Sequence, residues 1–195
     1  MTMYSAVLFI HVASAIGLFI ALAAEGAILL RIRSAQSIEE VRFFIGVFQR
    51  LRIIAIPALL GILVGGVYLG SKYGAGTYWI PSALAATLLI MLIGGLVTGI
   101  RTSRLKKVLS GKTDNSIETI SATTRDNALL ISYGLRVGLA VAIVFLMTAK
   151  PELVLSIVAL GAGSLTGLFV ARGMRIIADR RKPCQQWART AQPTR

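Results

Sequence analysis

The sequence predicts an all-α membrane helix bundle: a polytopic chain of about five transmembrane helices, amino terminus outside and carboxyl terminus in the cytoplasm. Two observations carry this fold class. First, 55% of the 195 residues are hydrophobic and only 15% are charged, against about 25% charged in soluble domains. The apolar residues fall in runs of about 20, the length a helix needs to cross a hydrocarbon core. Second, the basic residues are segregated by loop, and loop Lys/Arg bias sets the orientation of membrane proteins.

The first span is read at residues 4–30. Its leading segment, MTMYSAV, has no positive charge, and the run exceeds the h-region of a cleaved signal peptide, about 7–15 residues. It is therefore expected to stay. Residues 37–52 follow as an amphipathic segment. Ser37-x-x-Glu40 has the form of a capping box, and Val41, Phe44, Ile45 and Phe48 recur at helical spacing. This predicts a helix on the cytoplasmic interface that runs on into the second span, 53–70, as a membrane anchor or as a partner-docking surface. Pro57 is expected to kink that span or to mark its first membrane turn.

The third span is read at 78–100. Tyr73, Tyr78 and Trp79 gather at its outer end, where amphipathic rings favour the headgroup level, and Pro81 occupies its first turn, where a missing amide costs little. The fourth and fifth spans, 128–148 and 153–171, are joined by a short turn. Together residues 1–172 form one bundle, and residues 173–195 form a basic tail. In that tail RGMRIIADRRK is expected to prolong the last helix along anionic headgroups until Pro183 stops it. Residues 37–101 and 116–172 share an order of elements, with poor residue identity, which reads as the product of short outer loops or as a tandem repeat.

Charge position fixes the predicted direction. Eighteen of the 21 basic residues lie in segments 31–52, 101–127 and 172–195, two (Lys72 and Lys150) in the opposite loops, and one, Arg136, within a span. The resulting cytoplasmic face carries Arg31, Arg33, Arg50, Arg52, Arg101, Arg104, Lys106, Lys107, Arg172 and Arg175. Its expected partner is the bilayer with anionic headgroups. The net charge of +13 is thus accounted for without nucleic acid.

Small residues at four-residue spacing are dense: Gly61/Gly65, Gly66/Gly70, Gly95/Gly99, Gly134/Gly138 and Gly163/Gly167, with Ala13, Gly17 and Ala21 on the first span. Lipid supplies no hydrophobic drive between helices, so close backbone approach must hold a bundle together. These stripes serve packing within the chain, a homo-oligomer, or a larger membrane complex.

Three ionisable residues fall inside the spans: His11, Glu25 and Arg136. Each is costly in hydrocarbon and calls for an interior partner. Glu25 and Arg136 lie at comparable depth from the cytoplasmic ends of their spans, so they are the expected charge pair, either as a structural bridge or as a gate or proton-linked site. Glu25 snorkelling to the interface is the third reading. His11, the only histidine, is read as a neutral imidazole bonded to Ser14 or to a carbonyl of another helix, as a metal ligand, or as a proton relay. A single histidine requires Met91, Met147 or another chain for a second haem ligand. One cysteine, Cys184, excludes an internal disulfide, and no zinc spacing is present.

The first span opens on Leu-Phe-Ile-His-Val with small residues after His11 and ends at Arg31-Ile-Arg33; the second enters from Arg50-Leu-Arg52. Over residues 5–70 this resembles small bacterial integral-membrane families, the copper-resistance-D-like proteins and related groups of uncharacterised function. The resemblance implies a metal- or haem-associated role in the bacterial inner membrane, with His11 as the residue carried over. The sequence departs from that pattern in having no further histidine and no methionine-rich motif.

No nucleophile–base pair, phosphate loop or nucleotide fingerprint occurs, which points away from an enzyme. Three functions remain as expectations: a transporter-like or accessory subunit of a membrane complex, a membrane redox protein binding haem b or copper through His11, and a scaffold acting through its basic face.

Overall fold

The computed structural model describes residues 3–35, 37–72, 77–100, 103 and 127–180, and all of its regular structure is helical. Five helices are long and apolar enough to span a membrane. They are α1 (Met3–Ser34), α2 (Ile38–Lys72), α3 (Trp79–Leu92, prolonged by a π-helical turn Ile93–Thr98), α4 (Asn127–Ala149) and α5 (Leu153–Arg180). Arg101, Arg104, Lys106, Lys107, Tyr73 and the tail beyond residue 180 lie outside the described residues.

The bundle is organised around α4. Two-thirds (67%) of its most apolar window is buried, against 11–22% for the other four helices. Those four turn a broad apolar face outward, with Phe9, Ile53, Val64, Val154 and Phe169 all more than 65% exposed. In water such a surface would aggregate; against lipid tails it costs nothing.

Helices α4 and α5 meet through glycine. A Cβ added to Gly134 or Gly138 would run into the backbone carbonyl of Gly167 or Gly163 respectively, and the reverse holds for Gly163 and Gly167. Only a residue without a side chain permits this antiparallel backbone contact. The turn between the two helices closes with Lys150 at φ 48°, its amide bonded to the Leu146 carbonyl at 3.0 Å. That is a left-handed helix cap, followed by Pro151.

Helix α1 packs along α2 through small residues. Gly17 faces Ala58, Ser14 sits over Gly61, and His11 lies over Gly65 and Gly66. The two halves that share an order of elements are therefore packed differently. The first receives α1 in its glycine groove and leaves only Gly66 and Gly70 to face α3, at Leu84 and Ile80, whereas the second closes on itself.

The segment 37–52 is the first part of α2, continuous with the span. The Ser37 hydroxyl accepts the Glu40 amide at 3.2 Å, half of the capping box. Val41, Ile45 and Phe48 are buried in a cluster with Ile28, Leu29 and Ile32 of α1 and Leu129, Leu130 and Tyr133 of α4. Their apolar face is thus covered by protein. Pro57 stands inside α2 on an exposed face, and the helix passes through it. Trp79 is 8% exposed, while Tyr78 is 55% exposed. Only the tyrosine of this pair has the open position expected of an interfacial ring; the indole is enclosed by protein.

Candidate functional site

The end of the bundle that carries Arg31, Arg33, Arg50, Arg52, Arg172 and Arg175 sets the depth of the site. There Arg33 donates to Asn127 Oδ1 at 3.1 Å, tying the end of α1 to the start of α4. The two helices are antiparallel in chain direction and extend side by side from that tie. Eight residues back from Arg33, about 12 Å, is Glu25; nine residues on from Asn127, about 13 Å, is Arg136. Helix rise alone brings the two charges level.

They meet in a two-pronged ion pair. Arg136 Nη1 donates to Glu25 Oε2 at 2.8 Å, and Nη2 donates to Oε1. The paired geometry matches a planar guanidinium to a planar carboxylate, the strongest ionic hydrogen-bond arrangement available to side chains. Arg136 Nε donates to the Ser132 carbonyl at 3.3 Å, Nη2 reaches Thr98 Oγ1 at 3.3 Å, and Thr98 shares a hydrogen bond with Ser132 Oγ at 3.0 Å. Glu25, Thr98, Ser132 and Arg136 are all under 9% exposed. The network spans three helices, and each partner offsets the desolvation of the others.

Two backbone features make room for it. Gly94, in the π-helical turn, sits against the arginine stem: a Cβ there would lie 3.5 Å from Arg136 Cδ. On the other side, Gly26 lets the Tyr133 ring lie directly on α1; a Cβ would come 2.7 Å from its Cζ. A π-turn inside an α-helix displaces the residues beyond it around the axis and is frequent at functional sites. Here it carries Thr98 to the pair.

Beside the pair is a cavity of about 680 Å³ between α1, α2, α3 and α4. Its wall includes both Glu25 and Arg136, the π-turn at Gly94, Gly95 and Thr98, and, toward the basic end, Arg52 and Gly99. Leu18, Leu22, Leu59, Ile90 and Met91 supply much of the remainder. The Gly95/Gly99 stripe faces this space rather than a neighbouring helix. A Cβ on Gly95 would meet nothing within 4 Å, and one on Gly99 would meet the Arg52 guanidinium at 3.1 Å.

His11 is not part of the site. It shares α1 with Glu25 but lies about 21 Å away along the helix, and it turns to α2 rather than α4. Its Nδ1 is buried and has no hydrogen-bond partner among the described residues. Ser14, one expected partner, lies over Gly61 and does not bond Nδ1. The polar group of α2 that faces the ring is the Ile62 carbonyl.

The Nδ1–Cε1 edge of His11 leaves no room for a haem or metal. A Cβ on Gly65 would lie 3.2 Å from Nδ1 and one on Gly66 3.5 Å from Cε1, so this edge of the ring is closed off by α2. Met91 is seven residues, about 10 Å, along α3 from Leu84, the residue that packs with His11 on Gly66. Among the described residues no group of three or more His, Cys, Asp and Glu comes together.

No protein-family model, curated protein or solved structure matches the chain. The reading of function therefore rests on the geometry of Glu25, Arg136 and the cavity.

Thr98, Ser132 and Tyr133 escaped the sequence reading as site residues, and Arg52 was read as part of the cytoplasmic basic face and not of a cavity wall. The available signal was the pair Gly94-Gly95 followed three residues on by a threonine.

Proposed function

We propose that the protein is a small multi-pass protein of the bacterial inner membrane, amino terminus out and carboxyl terminus in the cytoplasm. In this reading it is a transporter-like or accessory subunit with a ligand-binding interior. One observation carries the reading: a buried Glu25–Arg136 pair forms part of the wall of a 680 Å³ cavity that extends to Arg52 at the basic end. Intramembrane charges that face a cavity are by default the markers of substrate or ion pathways, and the volume lies in the range of small-molecule sites, about 300–1,000 Å³.

The orientation is supported by the 18-to-2 division of loop basic residues. The resemblance of residues 5–70 to the copper-resistance-D-like families agrees with an inner-membrane location, but their metal or haem role is not carried over, because α2 closes the Nδ1–Cε1 edge of His11.

Cysteine accessibility tests the reading. In a Cys184→Ser background, Ala55→Cys and Met91→Cys should react with a membrane-impermeant maleimide applied to inverted vesicles. Ile157→Cys, on the outward face of α5, should not. Equal inertness of all three would mean that the cavity has no aqueous access, and the ligand-binding reading would fall.

A further inference from the structure

The cavity wall is chemically divided. Glu25 and Arg136 satisfy each other, whereas Arg52 is exposed and has no hydrogen bond or ion pair among the described residues. Two arginines and one glutamate leave the described wall with one positive charge in excess. Apart from Arg52 and the Glu25–Arg136 network, most of the lining is apolar, with Leu18, Leu22, Leu59, Ile90 and Met91 at its deeper end. A site with one uncompensated cation at its basic end and hydrocarbon behind it is complementary to a ligand with one anionic head and an apolar body. A dianion would leave one charge unmatched, and a cation would be repelled. A neutral apolar molecule would leave the guanidinium without a partner.

We propose that this cavity binds a monoanionic amphiphile, its carboxylate or phosphate paired with Arg52 and its chain laid along Leu18, Leu22, Leu59, Ile90 and Met91. The inference rests on the cavity being a ligand site and names the class of ligand. The glycine at 99 belongs to the same design, since a side chain there would crowd the Arg52 guanidinium. The Glu25–Arg136 pair stands in the wall between Arg52 and the deeper aliphatic lining, and its bidentate geometry leaves Arg136 little capacity for a second anion.

The probe is oleate, added to Cys184→Ser, Met91→Cys protein in phosphatidylcholine nanodiscs, with maleimide labelling of the introduced thiol as the readout. Oleate should slow labelling, and oleyl alcohol should not. Arg52→Gln, referred to its own labelling rate without oleate, should need about tenfold more oleate for protection, the loss of one ionic hydrogen bond; Arg52→Lys should keep most of the protection. A second arm replaces phosphatidylcholine by phosphatidylglycerol without oleate. Slow labelling there, lost in Arg52→Gln, identifies a lipid headgroup as the source of the anion, and protection by oleate alone identifies a free carboxylate. Labelling that neither amphiphile slows, or equal protection by the alcohol and by oleate, overturns the proposal while leaving the cavity accessible. Absence of labelling in every arm is instead the failure of the ligand-site reading itself.

Discussion

Glu25 and Arg136, 111 positions apart in the chain, are joined through both carboxylate oxygens inside the bundle. The contact ties α1 to the central helix at a depth where neither charge has a ready substitute partner. Around it the structure places Thr98 and Ser132 as hydrogen-bond partners and leaves a cavity on the open side. What the helices do for packing and what they do for the site are therefore separable, and each can be perturbed without the other.

Close packing of α4 on α5 depends on four glycines. Gly138→Ala would force a methyl group into the Gly163 carbonyl, so it should cost several kcal/mol by overpacking and backbone shift, about 1–3 or more. Gly161→Ala meets nothing within 4 Å and should be neutral or gain up to about 1 kcal/mol from helix propensity. Thermal melts in detergent compare the two. Equal losses would mean that glycine acts here through flexibility and not through contact.

The buried Nδ1 of His11 has no partner among the described residues, so the wild-type chain already bears its desolvation. His11→Leu removes that cost, about 1–3 kcal/mol, at some loss of fit against Gly65 and Gly66. The melting temperature should stay within a few degrees of wild type. A large drop, or loss of a Soret band from the purified protein, would instead restore the ligand role.

Reporters inserted after Lys72 and Lys150 should lie outside, and those after Arg33 and Lys112 in the cytoplasm, as the loop charges direct. A cytoplasmic reporter at Lys150 would be incompatible with the orientation proposed.

The helices were legible because a bilayer permits so little else: long apolar runs must close their backbone hydrogen bonds within the segment. The Glu25–Arg136 contact was legible for a related reason. Only two charges of opposite sign stood at equal depth, and rise per residue brought them level. Other features depended on rotation about the helix axis, which depth does not fix. Gly95/Gly99 has the spacing of a packing stripe, yet the π-turn directs it to the cavity. Ser14 shares a helix face with His11, yet it turns to Gly61. The apolar stripe Val41, Ile45 and Phe48 reads equally well against lipid or protein, and α1 and α4 decide it. Periodicity gives a face; only the neighbouring helix says what the face meets.

The most direct test of the account is a double-mutant cycle on the ion pair. Glu25→Gln and Arg136→Gln should each lower stability by about 3–5 kcal/mol, because each strands a charge in the interior. The double variant should lose less than the sum, since it removes both charges together. Melts of wild type, the two single variants and the double variant in one detergent give the coupling. Recovery in the double variant is the result predicted here; strictly additive losses would contradict the pair as the anchor of the site.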